Sequence, residues 1–195
     1  NLNKMSLQKF ANKHPMRDKI LSIMVENELT DDCFVEMLDY TIDLFESQGL
    51  GSDYYGYHNI NHELEVTYVS LLAAKQENVI LSQKDIRYLY VAALFHDFDP
   101  QKSVDKPHEE SVLKFISLDK KLQELIKIAD VDLEIIKVLI LRTTYPWIGD
   151  LKKNAETQIE ECFQNSDLTR NDKPLQEHIM QIGEYLSVVD RISGY

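Results

Sequence analysis

The stretch 85-DIRYLYVAALFHDFDP-100 decides how the rest of the chain is read. Ile86, Leu89, Tyr90, Ala93 and Leu94 recur at helical spacing, so one stripe of this segment is expected to be buried. Just upstream, Ser82 and Asp85 have the S-x-x-D spacing of a capping box and mark where the helix begins. Its far end is polar: His96 and Asp97 precede the loop 98-FDPQKSVDK-106. Neighbouring side chains on a helix diverge by about 100°, so His96 and Asp97 can address one centre only if it lies beyond the helix end.

The same period runs outward in both directions. Pro15 followed by 16-MRDKILSIMVENEL-29 reads as a first helix. The segment 31-DDCFVEMLDYTIDLFESQG-49 is a second, with Phe34, Leu38, Thr41, Ile42 and Phe45 on its stripe and Gly49 as its stop. After a loop at 50–58, a third helix is expected over 61–76, with Glu63 and Glu65 in the first turn where the helix dipole favours negative charge. Downstream, Pro107 fits the first turn of a helix carrying Val112, Phe115 and Ile116. Further helices are expected at 119–129, 132–143, 154–165 and 174–192, with Pro146 closing one and the Asn171–Pro174 turn opening the last. No alternating stretch is long enough for a sheet. The expectation is an all-α chain, one compact domain of about eight or nine helices.

Composition narrows the function. A chain of 195 residues, 44% hydrophobic and 28% charged, can bury a core without a disulfide or metal staple and is a globular rather than a disordered composition. The net charge of −12 opposes nucleic-acid polymers and anionic membranes as partners, while a small anionic substrate needs cations to reverse the field locally. Cys33 and Cys162 lie far apart with no C-x-x-C companion, which suits buried free thiols in a reducing, cytoplasmic setting. No apolar run reaches the ~18 residues of a membrane span, and no signal-peptide pattern opens the chain. The first residue is Asn1 rather than Met, which makes the sequence a candidate piece of something longer. Oligomeric state is not legible.

Chemistry-bearing residues collect at the expected helix ends. His62 opens the third helix, His96 and Asp97 close the fourth, His108 opens the fifth, and Asp190 lies late in the last. Imidazole nitrogen with carboxylate oxygen is a donor set for divalent cations. Singly, each residue has a plainer reading: Asp97 as a turn residue, Asp190 as an ion-pair partner of Arg191 or Arg17, and His14 and His178 as surface histidines.

Taken in order, 61-NHELEV-66, 91-VAALFHDFD-99 and 186-LSVVDRIS-193 resemble the HD-domain superfamily of metal-dependent phosphohydrolases. The resemblance covers residues 54 to 195. It implies a single HD-type domain over 1–195, with the helices of 1–50 packed on a metal-site core over 54–195. It also implies a metal set of His62, His96, Asp97, His108 and Asp190, holding one or two divalent ions among Mn, Fe, Zn, Co, Ni and Mg. The element 57-YHNINH-62 is similar to the Y-H-N-x-x-H element of class I cyclic-nucleotide phosphodiesterases. That similarity implies His58 as the acid that protonates the leaving alkoxide and His62 as the ligand.

The implied function is hydrolysis of a phosphomonoester or phosphodiester, nucleotides included, by a metal-bridging hydroxide, with Asp97 as the shared carboxylate. A carboxylate is needed to keep His58 protonated beside cations, and Glu63, Glu65 and Asp53 are the candidates. Glu109 and Glu110 are candidates to orient His108, and Lys102, Lys106 and Arg142 to hold phosphate. There are departures from the pattern. The segment 96-HDFDPQKSVDKPH-108 lacks the Asp-His-Pro-Gly run of the cyclic-nucleotide enzymes, and Tyr195 follows Asp190 too closely for their purine-clamping glutamine. The Gly-Tyr-Pro motif of the cyclic-dinucleotide branch is absent from 143-TTYPW-147. Two other readings stay open: a di-iron oxygenase lined by Tyr54, Tyr55 and Tyr57, and a non-catalytic sensing or contact module.

Overall fold

The computed structural model describes residues 14–54, 58–76, 80–101 and 109–193. Among them lie nine α-helices and no strand: α1 (Arg17–Glu26), α2 (Asp32–Ser47), α3 (Ile60–Ala73), α4 (Gln83–Phe95), α5 (Glu109–Leu118), α6 (Lys120–Ile128), α7 (Leu133–Arg142), α8 (Gly149–Asn165) and α9 (Lys173–Ser193). The helical period therefore describes the architecture correctly, and two boundaries differ in an instructive way.

Helix α4 is the axis of the fold. Ser82 caps it as its spacing requires: the Asp85 amide donates to Ser82 Oγ at 3.1 Å, and the Ser82 amide donates to Asp85 Oδ2 at 2.9 Å. The stripe of Ile86, Leu89, Tyr90, Ala93 and Leu94 is buried, but so are Tyr88, Val91, Ala92 and Phe95. The one-sided burial expected from the period is thus too modest. α4 packs against α3, α7, α9 and α2, and a helix with neighbours on every side is apolar all round.

The N-terminal helices complete the core. On α2 the expected stripe is buried in full, and Phe34 meets the Tyr90 ring edge-on at 5.7 Å while Tyr90 Oη donates to the Phe34 carbonyl at 2.6 Å. Gly49 ends α2 at φ 71°, allowing the Leu50 amide to reach back to the Phe45 carbonyl at 2.8 Å. A ladder of rings then runs from Phe45 to Phe98 (5.1 Å) and on to Phe115 (4.6 Å). Phe98 directly follows Asp97, so this ladder anchors the segment just beyond the His96–Asp97 doublet.

Helix α3 starts at Ile60 because Asn59 caps it. Asn59 Oδ1 accepts the His62 amide at 3.0 Å, and its Nδ2 donates to the Tyr54 carbonyl at 2.9 Å, tying the loop to the helix. Helix α8 begins at Gly149, five residues before the expected 154. Its first turn is at most half-buried, and its buried residues, Ala155, Ile159, Cys162 and Phe163, start only at 155. An apolar pattern cannot report a turn that has no fully buried residue.

Both cysteines are free and buried. Burial, aided by Glu134, pushes the Cys162 thiol up to about 12, so it is inert at neutral pH. No helix among the described residues is long and apolar enough to cross a membrane.

Candidate metal centre

Three helix ends meet at one point. His62 lies in the first turn of α3, with its amide fixed by the Asn59 cap. His96 is the C-terminal cap of α4, Asp97 follows it, and Asp190 sits in the last turn of α9. The helix-end geometry that the doublet demands is therefore present.

One donor atom from each of His62, His96, Asp97 and Asp190 falls within 4.8 Å of all the others. His62 Nε2 stands 2.8 Å from Asp190 Oδ1 and 3.1 Å from Asp97 Oδ2. His96 Nε2 is 3.3 Å from each of the same two oxygens. Ligands held at about 2.0–2.2 Å from one ion lie roughly 3 Å apart when at right angles and roughly 4 Å apart when opposed. Two imidazoles and two carboxylates at these separations fit one divalent cation.

The electrostatics show what the cluster does without one. Burial pulls the His62 imidazole down, but Asp190 and Asp97 outweigh it and hold the group up at about 9. His96, fully buried, is likewise raised well above its usual range, because Asp97, Glu63 and Asp190 overcome the cost of burial. Burial works against the Asp190 charge, yet the two imidazoles hold its carboxyl below the usual range. Three acids converge on two imidazoles, so this pocket favours positive charge.

Beside the four stands His58, 31% exposed, with Nδ1 3.2 Å from Asp97 Oδ2. Asp97 is a carboxylate set against His58; Glu65 and Asp53 are exposed, and Glu63 faces His96 and the Asp97 amide. Glu63 is fully buried beneath the doublet, and burial pushes its carboxyl up to about 7 against the pull of His96. Its role escaped the sequence reading, although a signal was present. On α3 it shares a stripe with Ile60, Leu64, Thr67 and Leu71, and an acid on a buried stripe needs a partner.

Other candidates land elsewhere. Asp190 pairs with His62 and His96; Arg17 instead grips Asp39 at 2.7 and 3.1 Å, and the Arg191 guanidinium lies over the Tyr145 ring at 5.4 Å. Arg142 stacks on the Trp147 ring at 4.2 Å. His14 is not a surface group but is buried, with Nε2 3.0 Å from Asn61 Oδ1; His178 is 39% exposed, as a surface histidine, and its Nε2 meets Asp85 Oδ2 at 2.9 Å. Tyr54 packs partly buried against the core. His108, Lys102, Lys106, Tyr55 and Tyr57 lie outside the described residues; Glu109 is buried and Glu110 exposed.

Three helix ends of an all-α frame thus converge on a His/Asp cluster that could hold a metal ion. The HD-domain family model matches residues 59–192, about two thirds of the chain, a span that contains His62, His96, Asp97 and Asp190. The chain belongs to the HD-domain family. His58 falls one residue outside the matched span. Comparison with curated proteins and with solved structures returned no match.

Proposed function

We propose that this protein is a metal-dependent phosphohydrolase acting on a small phosphomonoester or phosphodiester, with nucleotides the first substrates to test. The observation that carries this reading is the convergence of four donor atoms from His62, His96, Asp97 and Asp190 within 4.8 Å. A divalent ion held there supplies Lewis acidity, acidifying water at neutral pH and neutralising phosphoryl oxygens as charge builds.

The chain's own groups supply the rest. His62 and His96 present imidazole nitrogen, and Asp97 and Asp190 present carboxylate oxygen, which together favour a borderline or hard cation. Asp97 Oδ2 lies 3.2 Å from His58 Nδ1, so His58 is held with its other ring nitrogen turned away from Asp97. In this reading His58 is the acid that hands a proton to the departing alkoxide, and its contact with Asp97 and partial exposure to solvent support that role. The buried side of the site excludes water, with His96 and Asp97 at most 1% exposed, while Asp190 and His58 form its open side.

The test is elemental analysis of protein purified without chelator, followed by assays on phosphomonoesters and cyclic and linear nucleotides with Mn, Co, Ni, Zn, Fe and Mg. Retained metal and ester turnover, both lost in Asp97→Asn, are expected. Protein that keeps no metal and turns over nothing after reconstitution overturns the proposal. A product formed only with iron and oxygen replaces it with an oxygenase.

A further inference from the structure

Glu63 is the acid at the centre whose placement metal ligation leaves unexplained. It is 0% exposed, and both its oxygens face the doublet. Oε1 lies 2.7 Å from His96 Nδ1, and Oε2 accepts the Asp97 amide at 3.2 Å. The Ala93 carbonyl lies 2.8 Å from the same His96 nitrogen. A carbonyl cannot donate, so Nδ1 carries a hydrogen, and Nε2, facing the cluster, is the nitrogen left to meet a cation once its own proton is displaced.

A buried carboxylate is costly to desolvate, and a neutral side chain of similar size would pack there at lower cost. The His96 ring N–H is hydrogen-bonded to the Ala93 carbonyl, Glu63 Oε1 adds ion-pair contact to the same nitrogen, and Glu63 Oε2 accepts the Asp97 peptide N–H, so one carboxylate bears on both members of the doublet. We propose that Glu63 is a positioning residue for the metal centre, locking the His96 ring and the Asp97 peptide to each other so that both side chains meet one ion. This explains how two adjacent residues converge on one point: α3 reaches under the end of α4 and holds the doublet by both its members. The inference rests on the reading that the cluster binds a divalent cation.

The experiment compares Co²⁺ binding, by titration and by the visible absorption of the bound ion, in the unaltered protein, Glu63→Gln and Glu65→Gln. Glu65 is exposed on the same helix, so its substitution removes the same charge without touching the doublet. Glu65→Gln should bind within about twofold of the unaltered protein. Glu63→Gln should bind roughly 10- to 100-fold more weakly, as loss of an orienting partner does elsewhere, with an altered absorption envelope. Equal affinity and spectrum in Glu63→Gln overturn the assignment. Failure of the unaltered protein to bind Co²⁺ overturns instead the reading on which it rests. Should Glu63→Gln not fold, long-range ¹H–¹⁵N spectra of the Zn²⁺-loaded unaltered protein decide: a protected, strongly downfield His96 Nδ1–H supports the clamp, and a proton on Nε2 removes it.

Discussion

His58 and His62 are four residues apart yet differ sharply in environment. His62 is 7% exposed and its Nε2 lies within 3.1 Å of both Asp97 and Asp190; His58 is 31% exposed, with Nδ1 3.2 Å from Asp97. Separable roles follow. His58→Asn should lower kcat by about 10²- to 10⁴-fold, the usual contribution of a general acid, while metal content by elemental analysis stays within error. Loss of metal together with activity would make His58 a ligand instead. His62 is also the residue with the clearest pH signature. Burial lowers its affinity for a proton, but Asp190 and Asp97 more than compensate and hold it at about 9 in the metal-free protein, against roughly 6.5 for free imidazole. The folded value lies above the unfolded one, so its contribution to stability is complete below about 6.5 and fades as pH rises through about 9. Binding a cation must expel that proton. Apparent metal affinity should therefore climb with pH up to about 9, with protons released on binding at pH 7, and calorimetry in buffers of differing ionisation enthalpy counts them. Binding that is indifferent to buffer and pH contradicts this protonation state. His62, His96, Asp97 and Asp190 stood out by residue type at the expected helix ends, but as a metal set they came only from the resemblance to the HD-domain superfamily; the structure brings all four together. The Glu63 partnership was not legible, because it depends on which way a first-turn side chain points.

Helix ends carry most of the local information in this fold, and they were read with mixed success. The capping box of α4 and the stripe of α2 follow directly from spacing, since a hydroxyl or an apolar side chain at a given register has few other uses. The start of α8 and the His178–Asp85 tie between α9 and α4 did not, because one has no fully buried residue and the other joins residues 93 positions apart. Two ends break a local rule. Glu28 after α1 and Asp130 after α6 take φ values of 60° and 55°, a left-handed conformation that favours glycine. The following amides, Leu29 to Met24 at 2.9 Å and Val131 to Ile126 at 3.3 Å, close the helices in the Schellman manner. A side chain in that conformation costs roughly 1–2 kcal/mol, and glycine's extra freedom in the unfolded chain returns roughly 0.5–1 kcal/mol of any gain. Asp130→Gly and Glu28→Gly should each stabilise the protein by about 0.5–1 kcal/mol in urea unfolding. Asn59→Ala should cost about 1 kcal/mol through the lost cap of α3. Destabilisation by both glycines would mean that their native side chains make compensating contacts.

At the scale of the whole molecule, the centre is a cross-link. It joins the start of α3, the end of α4 and the end of α9, so its residues span 62 to 190, most of the chain. A chain of net charge −12 that also converges Glu63, Asp97 and Asp190 on one buried point accumulates self-repulsion there, relieved by protons on the imidazoles or by a cation. A cation that binds the folded and not the unfolded chain stabilises by RT ln(1 + [L]/Kd), about 2.7 kcal/mol at a hundredfold excess over Kd. For a chain of this size each kcal/mol moves the midpoint by roughly 2–4 °C, so saturating divalent metal should raise Tm by about 5–10 °C over protein in chelator. Asp190→Asn removes one ligand and the tie to α9, and should abolish most of that shift while leaving the α-helical circular dichroism intact. The size of the shift should also grow with metal concentration, without a plateau near the Kd, because linkage to global unfolding continues past saturation of the native state. A midpoint insensitive to chelator and to every divalent ion, in protein that unfolds reversibly, would separate the helical body from the chemistry assigned to it.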